Sequence, residues 1–371
     1  MNAPTNKKTR KPTQKKSFSL DDYKKKSNLE TIDNKKLEWI GISKAMQEAT
    51  GLPGFPMGYV SLARGFTNTG KSTALCEAII SAQQMDVLPI IIDTENNLGV
   101  DRLTKMGFDW NGSYILINND YLLEEFGKKR DKNRKEASIE DLAECIYHFL
   151  DEQEQGKLPM DLLFAIDSLG TLDCIRSIKA HEKNNEDNNM WNAGAFEKSF
   201  KYLLNNTIPS SRKINKPFTN TIIGVQKIWI DSMGQGVVKH KGGETFFYGS
   251  RLIYHFGGIA AHGTRKVIAT SMGNNIAYGI ETKVSVAKNQ IDEIRGGISK
   301  EGEIISAPHG FVNKQKLDEY KKEHLSYFRE ILESDDITPD QIKDEYVDIK
   351  PGENIEIGGV VNEVNEFIND D

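Results

Sequence analysis

The chain predicts an α/β fold: a mostly parallel central sheet with helices on both faces, a flexible basic N-terminal tail and an acidic C-terminal segment. Three observations carry that expectation. Continuous apolar runs at residues 88–93, 162–167 and 221–226 each end in a polar side chain, Asp93, Asp167 or Gln226, as buried parallel strands do when their C-terminal ends line a site. Helical apolar spacing alternates with these runs, the order expected when helices cover both faces of a parallel sheet. Residues 58–63 read as a further buried strand, followed by a glycine-rich loop and then by residues 73–82, whose apolar side chains recur at helical spacing.

The loop is the most specific element. Gly65-Phe66-Thr67-Asn68-Thr69-Gly70-Lys71-Ser72 satisfies the pattern G-x-x-x-x-G-K-[ST] in the strand, loop and helix setting that its chemistry needs. The glycines let consecutive backbone N–H groups turn toward a polyphosphate at a helix N-terminus, where the helix dipole also favours negative charge. Lys71 then reaches the β- and γ-phosphates, Ser72 offers its hydroxyl to Mg²⁺, and Thr73 ends the binding stretch.

The strand tips supply the remaining candidates. Asp167 is either the acidic group that holds the Mg²⁺ shell or a cap for the next helix, and the phosphate loop favours the metal role. Glu95, two residues past the strand at 88–93, is by position an ordinary loop acid or a carboxylate that orients and deprotonates a water attacking the γ-phosphate. Gln226 ends its strand where an amide can donate to a γ-phosphate oxygen and pass the nucleotide state to the segment behind it. That segment, residues 227–243, mixes Lys227, Lys239 and Lys241 with Trp229, Ile230 and Met233 among glycines. Such a mixture suits phosphate contacts with stacking or wedging against bases, and DNA is favoured over a protein partner.

Residues 253–258, 266–271 and 281–287 carry the more alternating pattern of later, partly exposed strands. Residues 128–135 read as a solvated basic run and a candidate second nucleic-acid contact, and residues 205–220 as a polar connection containing Pro209 and Pro217. Residues 317–332 read as one amphipathic helix, and there is no internal repeat.

Composition bounds the class. With 371 residues, 38% hydrophobic and 27% charged, the chain can bury one substantial core and still carry appendages. No apolar run approaches the roughly 20 residues of a membrane span, and the Lys-rich start lacks an apolar signal core, so a cytoplasmic protein is expected. Cys76, Cys145 and Cys174 are widely spaced in apolar surroundings, which points to buried thiols and not to a disulfide framework or zinc cluster. The net charge of −6 conceals a basic start, with nine lysines and arginines in the first 26 residues, and a strongly acidic stretch from Glu333 onward. The basic tail is either only solvated or a nucleic-acid contact; the acidic tail either competes with DNA for a basic groove or serves solubility.

Taken in order, these motifs resemble those of the RecA-type recombinases, most closely the phage RecA-like recombinases, over roughly residues 40–295. Residues 50–58 are similar to the family's Gly-x-Pro-x-Gly approach. Asp93-Thr94-Glu95 with residues 102–109 resembles its catalytic-glutamate segment, residues 166–172 its magnesium-binding strand, and residues 279–289 the strand bearing a cationic finger. The resemblance implies that Glu95 activates water, that Gln226 senses the γ-phosphate, that Arg102 stacks on adenine, and that Lys288 reaches the ATP of a neighbouring protomer. It also implies a first DNA-binding loop containing Met190 and Trp191. A second would span Lys227, Trp229, Ile230, Lys239, Lys241, Gly242 and Gly243. Two departures stand out: Val225 replaces a polar residue before the sensor glutamine, and Gln290 stands where a second finger cation is common, so slow turnover is expected.

The implied protein is a DNA-dependent ATPase using ATP and Mg²⁺. It would form a helical homo-oligomeric filament on single-stranded DNA with ATP at protomer interfaces, and pair that strand with double-stranded DNA. A single-strand-binding protein or loader is a further expected partner, and the host cytoplasm the compartment if the chain is phage-encoded. The expected divisions are a basic tail or oligomerisation segment at 1–36, a RecA-like ATPase core at 37–297 and a small C-terminal region at 298–371. Two rivals remain: a hexameric helicase on the same core, and a weakly hydrolysing recombination mediator.

Overall fold

Two short antiparallel strands, β1 (Trp39–Gly41) and β2 (Gly54–Pro56), bracket helix α1 (Lys44–Thr50) at the start of the described chain. The computed structural model describes residues 33–96, 98–183, 189–230, 238–240, 243–257, 264–271, 274–291, 300–349 and 357. Ser43 caps α1 by accepting from the Met46 amide, and Gly51 closes it at φ 74°, a left-handed conformation that suits glycine.

Strand β3 (Val60–Gly65) leads through the glycine loop into α2 (Lys71–Gln84). The alternation continues with β4 (Leu88–Asp93), α3 (Val100–Lys105), β5 (Ile115–Asn118), α4 (Ile139–Glu154) and β6 (Leu162–Leu169). Helices α5 (Ile175–His181) and α6 (Asn189–Tyr202) precede the long β7 (Asn220–Ile230), against which β8 (Val238–His240) folds back. Then come α7 (Gly243–Gly249), β9 (Leu252–Phe256), β10 (Arg265–Ser271), β11 (Asn274–Asn289), β12 (Glu301–Ala307) and β13 (Gly310–Val312). Helices α8 (Leu317–Glu323) and α9 (Leu325–Ile331) and strand β14 (Lys343–Asp348) complete the described fold.

Twelve strands make one sheet in the order β13-β12-β11-β9-β3-β7-β6-β4-β5, with β10 on β11, β14 on β10 and β8 on β7. From β9 to β5 every neighbouring pair is parallel. Beyond β9 the pairing turns antiparallel and forms a wing that continues past residue 297 through β12 and β13. The parallel strands are buried on both faces, which is why they read as unbroken apolar runs. Ile91, Leu163, Ala165 and Ile223 face α1 and α2 with Ala74, Leu75 and Ile79, whereas Ile90, Phe164, Ile166 and Ile222 face α4 and α6 with Ile146, Phe149 and Phe200. Each fully buried aliphatic side chain of this kind contributes roughly 1.5–3 kcal/mol. Cys76, Cys145 and Cys174 lie buried and unbridged within these layers.

Three expectations are corrected. Residues 317–332 are not one helix: His324, at φ −115° and ψ 33°, separates α8 from α9, and the bent pair covers Val267, Tyr278 and Ile305 with Leu317, Tyr320 and Phe328. Of the later strands, β9 and β10 are mostly buried and not partly exposed, whereas residues 281–287 keep the expected alternation, with Lys283, Ser285 and Ala287 outside the buried set. The basic run at 128–135 is not wholly solvated, because Arg134 turns inward to Asp141 at 2.7 Å with side-chain exposures of 4% and 0%. Among the described residues no helix is long and apolar enough to cross a membrane.

Candidate functional site

The C-terminal ends of β3, β4, β6 and β7 open onto one cavity of about 390 Å³ lined by loop residues 67–70, Lys71, Ser72, Thr73, Glu95, Arg102, Asp167 and Lys227. Four stretches far apart in sequence meet there because parallel strands place all their C-terminal ends on one edge. Gly65 lets the loop start: a Cβ on it would lie 2.2 Å from the Phe256 carbonyl oxygen. Gly70 caps α2 at φ 94°, and a Cβ there would meet the Phe311 ring at 2.9 Å. The Phe66 carbonyl accepts from Thr69 Oγ1 at 2.8 Å and from Lys71 Nζ, so the loop curls around its own lysine.

Lys71 is 5% exposed. Burial lowers its pKa to about 8, an effect opposed by the Asp167 charge and reinforced by Lys227. Burial raises the carboxyl of Asp167, while its hydrogen bond with the Ser72 hydroxyl works the other way and Glu95 and Asp93 raise it further. Asp167 Oδ2 is buried with no hydrogen-bond partner among the described residues. A divalent cation beside Ser72 would satisfy that oxygen. No group of three or more His, Cys, Asp or Glu side chains fit to hold a metal occurs among the described residues.

Asp93 builds the turn that presents Glu95, accepting from the Glu95 amide at 3.2 Å and the Leu98 amide at 3.0 Å. Glu95 Oε1 accepts from Ser168 Oγ and from Thr171 Oγ1 at 3.2 Å. Its Oε2 meets Lys227 Nζ at 2.7 Å, with the Glu95 side chain 11% exposed and that of Lys227 36%. Gln226 is fully buried on β7, opposite Arg64 of β3 and Leu169 of β6. Arg102 donates to Thr73 Oγ1, which in turn shares a 2.6 Å hydrogen bond with Ser306 of β12. Ser306 and Ile280 bring the antiparallel wing into the cavity wall, and Ile357 lines it as well.

Lys71, Ser72, Thr73, Glu95, Arg102, Asp167 and Lys227 therefore converge, and other candidates stand apart. Lys227, expected in a DNA-contacting segment, lies on β7 and lines the cleft. Lys288 is not among the described residues lining the cavity; its Nζ donates to the Phe247 and Tyr248 carbonyls at 3.0 Å each. Met190 and Trp191 are not in a loop but begin α6, with Met190 77% exposed and Trp191 half-buried under the Arg176 guanidinium at 4.0 Å. Trp229 is 41% exposed and pairs with Lys239 across the β7–β8 ribbon, where Ile230 pairs with Val238. Lys241, Gly242 and Met233 lie outside the described residues, and Gly243 begins α7.

The sequence offered no sign of Ser306 or Ile280 as site residues. Nothing local marks them, because long-range pairing of β12 with β11 brings them in. Comparison with known protein families and with curated proteins finds no match to this chain.

Proposed function

We propose that the protein is an ATP-dependent DNA recombinase of the RecA type, with an Mg²⁺-dependent ATPase cleft at the C-terminal ends of β3, β4, β6 and β7. The observation that carries the reading is the convergence of the glycine loop, buried Lys71, the Ser72–Asp167 pair and Glu95 on one cavity, with β7 running from that cavity into the ribbon that bears Trp229. Ring-stacking aromatics beside lysines suit single-stranded DNA.

In this reading Lys71 and the amides of residues 66–72 hold the phosphates. Ser72 and Asp167 would hold Mg²⁺, which when bound neutralises charge on the β- and γ-phosphates. Glu95 orients the attacking water and takes its proton, and Gln226 reports γ-phosphate occupancy along β7. Arg102 packs by the base. Lys288 of a neighbouring copy completes the site, a role in which a cation in trans contributes on the order of 10³- to 10⁵-fold in rate. ATP binding and protomer contact then become one event, and a filament on single-stranded DNA follows.

The test is electron microscopy of the protein with single-stranded DNA, Mg²⁺ and a non-hydrolysable ATP analogue, beside a control without nucleotide. Helical filaments formed only with the analogue are expected, and Lys71→Ala should form none and lose turnover. Closed rings would replace the reading with a helicase, and no assembly with a mediator.

A further inference from the structure

Lys227 sits between two demands. Its ammonium is 2.7 Å from Glu95 Oε2, and it lines the same cavity as Lys71, which it repels. Glu95 Oε1 is taken by Ser168 and Thr171. A carboxylate with one oxygen in an ion pair and the other accepting two hydroxyls is poorly placed to take a proton from water, because the bonds that stabilise its charge must first be given up. The Ser168 and Thr171 hydroxyls come from β6 and the turn behind it, a fixed part of the sheet. Lys227 is different: its side chain is 36% exposed and extends from β7 two residues before the exposed Trp229.

Resting on the reading above, we propose that Lys227 is a latch on Glu95: it holds the carboxylate in an ion pair until a phosphate draws the ammonium away and frees Oε2 to meet water. Lys227 is thus a positioning residue, acting on the reaction through Glu95. The phosphate has two possible sources, the nucleotide in the cavity and the backbone of a nucleic acid lying on the β7–β8 ribbon. Both recruit Lys227 by the same charge-assisted contact. If the backbone is the source, nucleic acid and hydrolysis are coupled through one side chain.

The experiment compares steady-state ATP hydrolysis by the wild type, Lys227→Met and Lys227→Arg, each with and without a single-stranded oligonucleotide, after thermal melting has shown all three folded. If the backbone opens the latch, Lys227→Met raises kcat without DNA about tenfold, toward the stimulated value, and leaves KM within a factor of about two. If the nucleotide opens it, Lys227→Met raises KM for ATP about tenfold at unchanged kcat, equally with and without DNA. In either case Lys227→Arg, which keeps the charge, tracks the wild type. A Lys227→Met protein that hydrolyses as slowly as Glu95→Gln under both conditions would overturn the latch, since the ammonium would then be needed for turnover. One matching the wild type in kcat, KM and stimulation would overturn it too. A wild type that hydrolyses no ATP in either condition removes the recombinase reading and the latch with it.

Discussion

At neutral pH the Lys71 ammonium is held in a site that favours its neutral form, for burial lowers its pKa to about 8 from the ordinary 10.5. Between those values the folded protein binds fewer protons than the unfolded chain. This group therefore makes stability rise with pH through that window and costs stability below it. A polyphosphate reverses the preference. Nucleotide binding near pH 9 is accordingly expected to take up as much as roughly one proton, with affinity falling by up to about tenfold per pH unit above 8. Calorimetry in buffers of differing ionisation enthalpy measures that uptake, and an observed heat independent of buffer would place Lys71 away from the phosphates. Glu95→Gln is expected to keep nucleotide affinity within a few-fold while slowing hydrolysis by about 10²- to 10⁴-fold, the contribution of a general base. Single-turnover hydrolysis beside equilibrium binding separates the two, and a loss of binding would contradict the assignment. Lys71 and Ser72 were legible because their motif is contiguous. The Glu95–Lys227 pair was not, because 132 residues separate its members and only the parallel register brings them together.

Helix α4 shows how one element depends on its first turn. Ser138 and Asp141 form a capping box, and Asp141, fully buried, also receives Arg134 at 2.7 Å and Arg130 at 3.3 Å. Removing Arg134 leaves the buried carboxylate its Ser138 hydrogen bonds and, among the described residues, only the half-exposed Arg130 as a charged partner. Arg134→Met is expected to cost roughly 2–4 kcal/mol, read as a drop in the urea midpoint, with cleft chemistry unaffected. A loss under about 1 kcal/mol would mean that Arg130 takes over the pairing. In sequence this arginine belongs to a basic run, and nothing there separates the inward side chain from its solvated neighbours. The parallel strands were legible for the opposite reason, since burial on both faces leaves a run such as Ile90-Ile91-Ile92 with no other reading. In the wing the acidic Glu281 is buried between Arg265, its partner in the β10–β11 register, and Lys314, and nothing local in the sequence shows either pairing.

Across the whole molecule the acidic C-terminal stretch divides in two. Ile337 and Ile342 are buried under the helix pair and β14 closes an edge of the wing, so a cut after Glu333 would remove part of the fold. The tail that can be tested is residues 350–371, with six acidic side chains against one lysine. If it competes with DNA, its deletion should tighten single-stranded DNA binding by about tenfold at low salt and steepen the salt dependence; fluorescence anisotropy across a salt series reads both. Affinity that stays constant over the series would leave the tail a solubility role. The same long-range logic ends at β7, which passes through the cleft and out to the ribbon without a break. Past the part buried on both faces, Gln226 and Ile228 are buried while Lys227 and Trp229 are not, so along this outer stretch even positions face inward and odd positions outward. The strand thus carries a parity as well as a length. Inserting one residue after Gln226 would exchange the two sets and bury the tryptophan, whereas inserting two would restore the facing and lengthen the arm by about 7 Å.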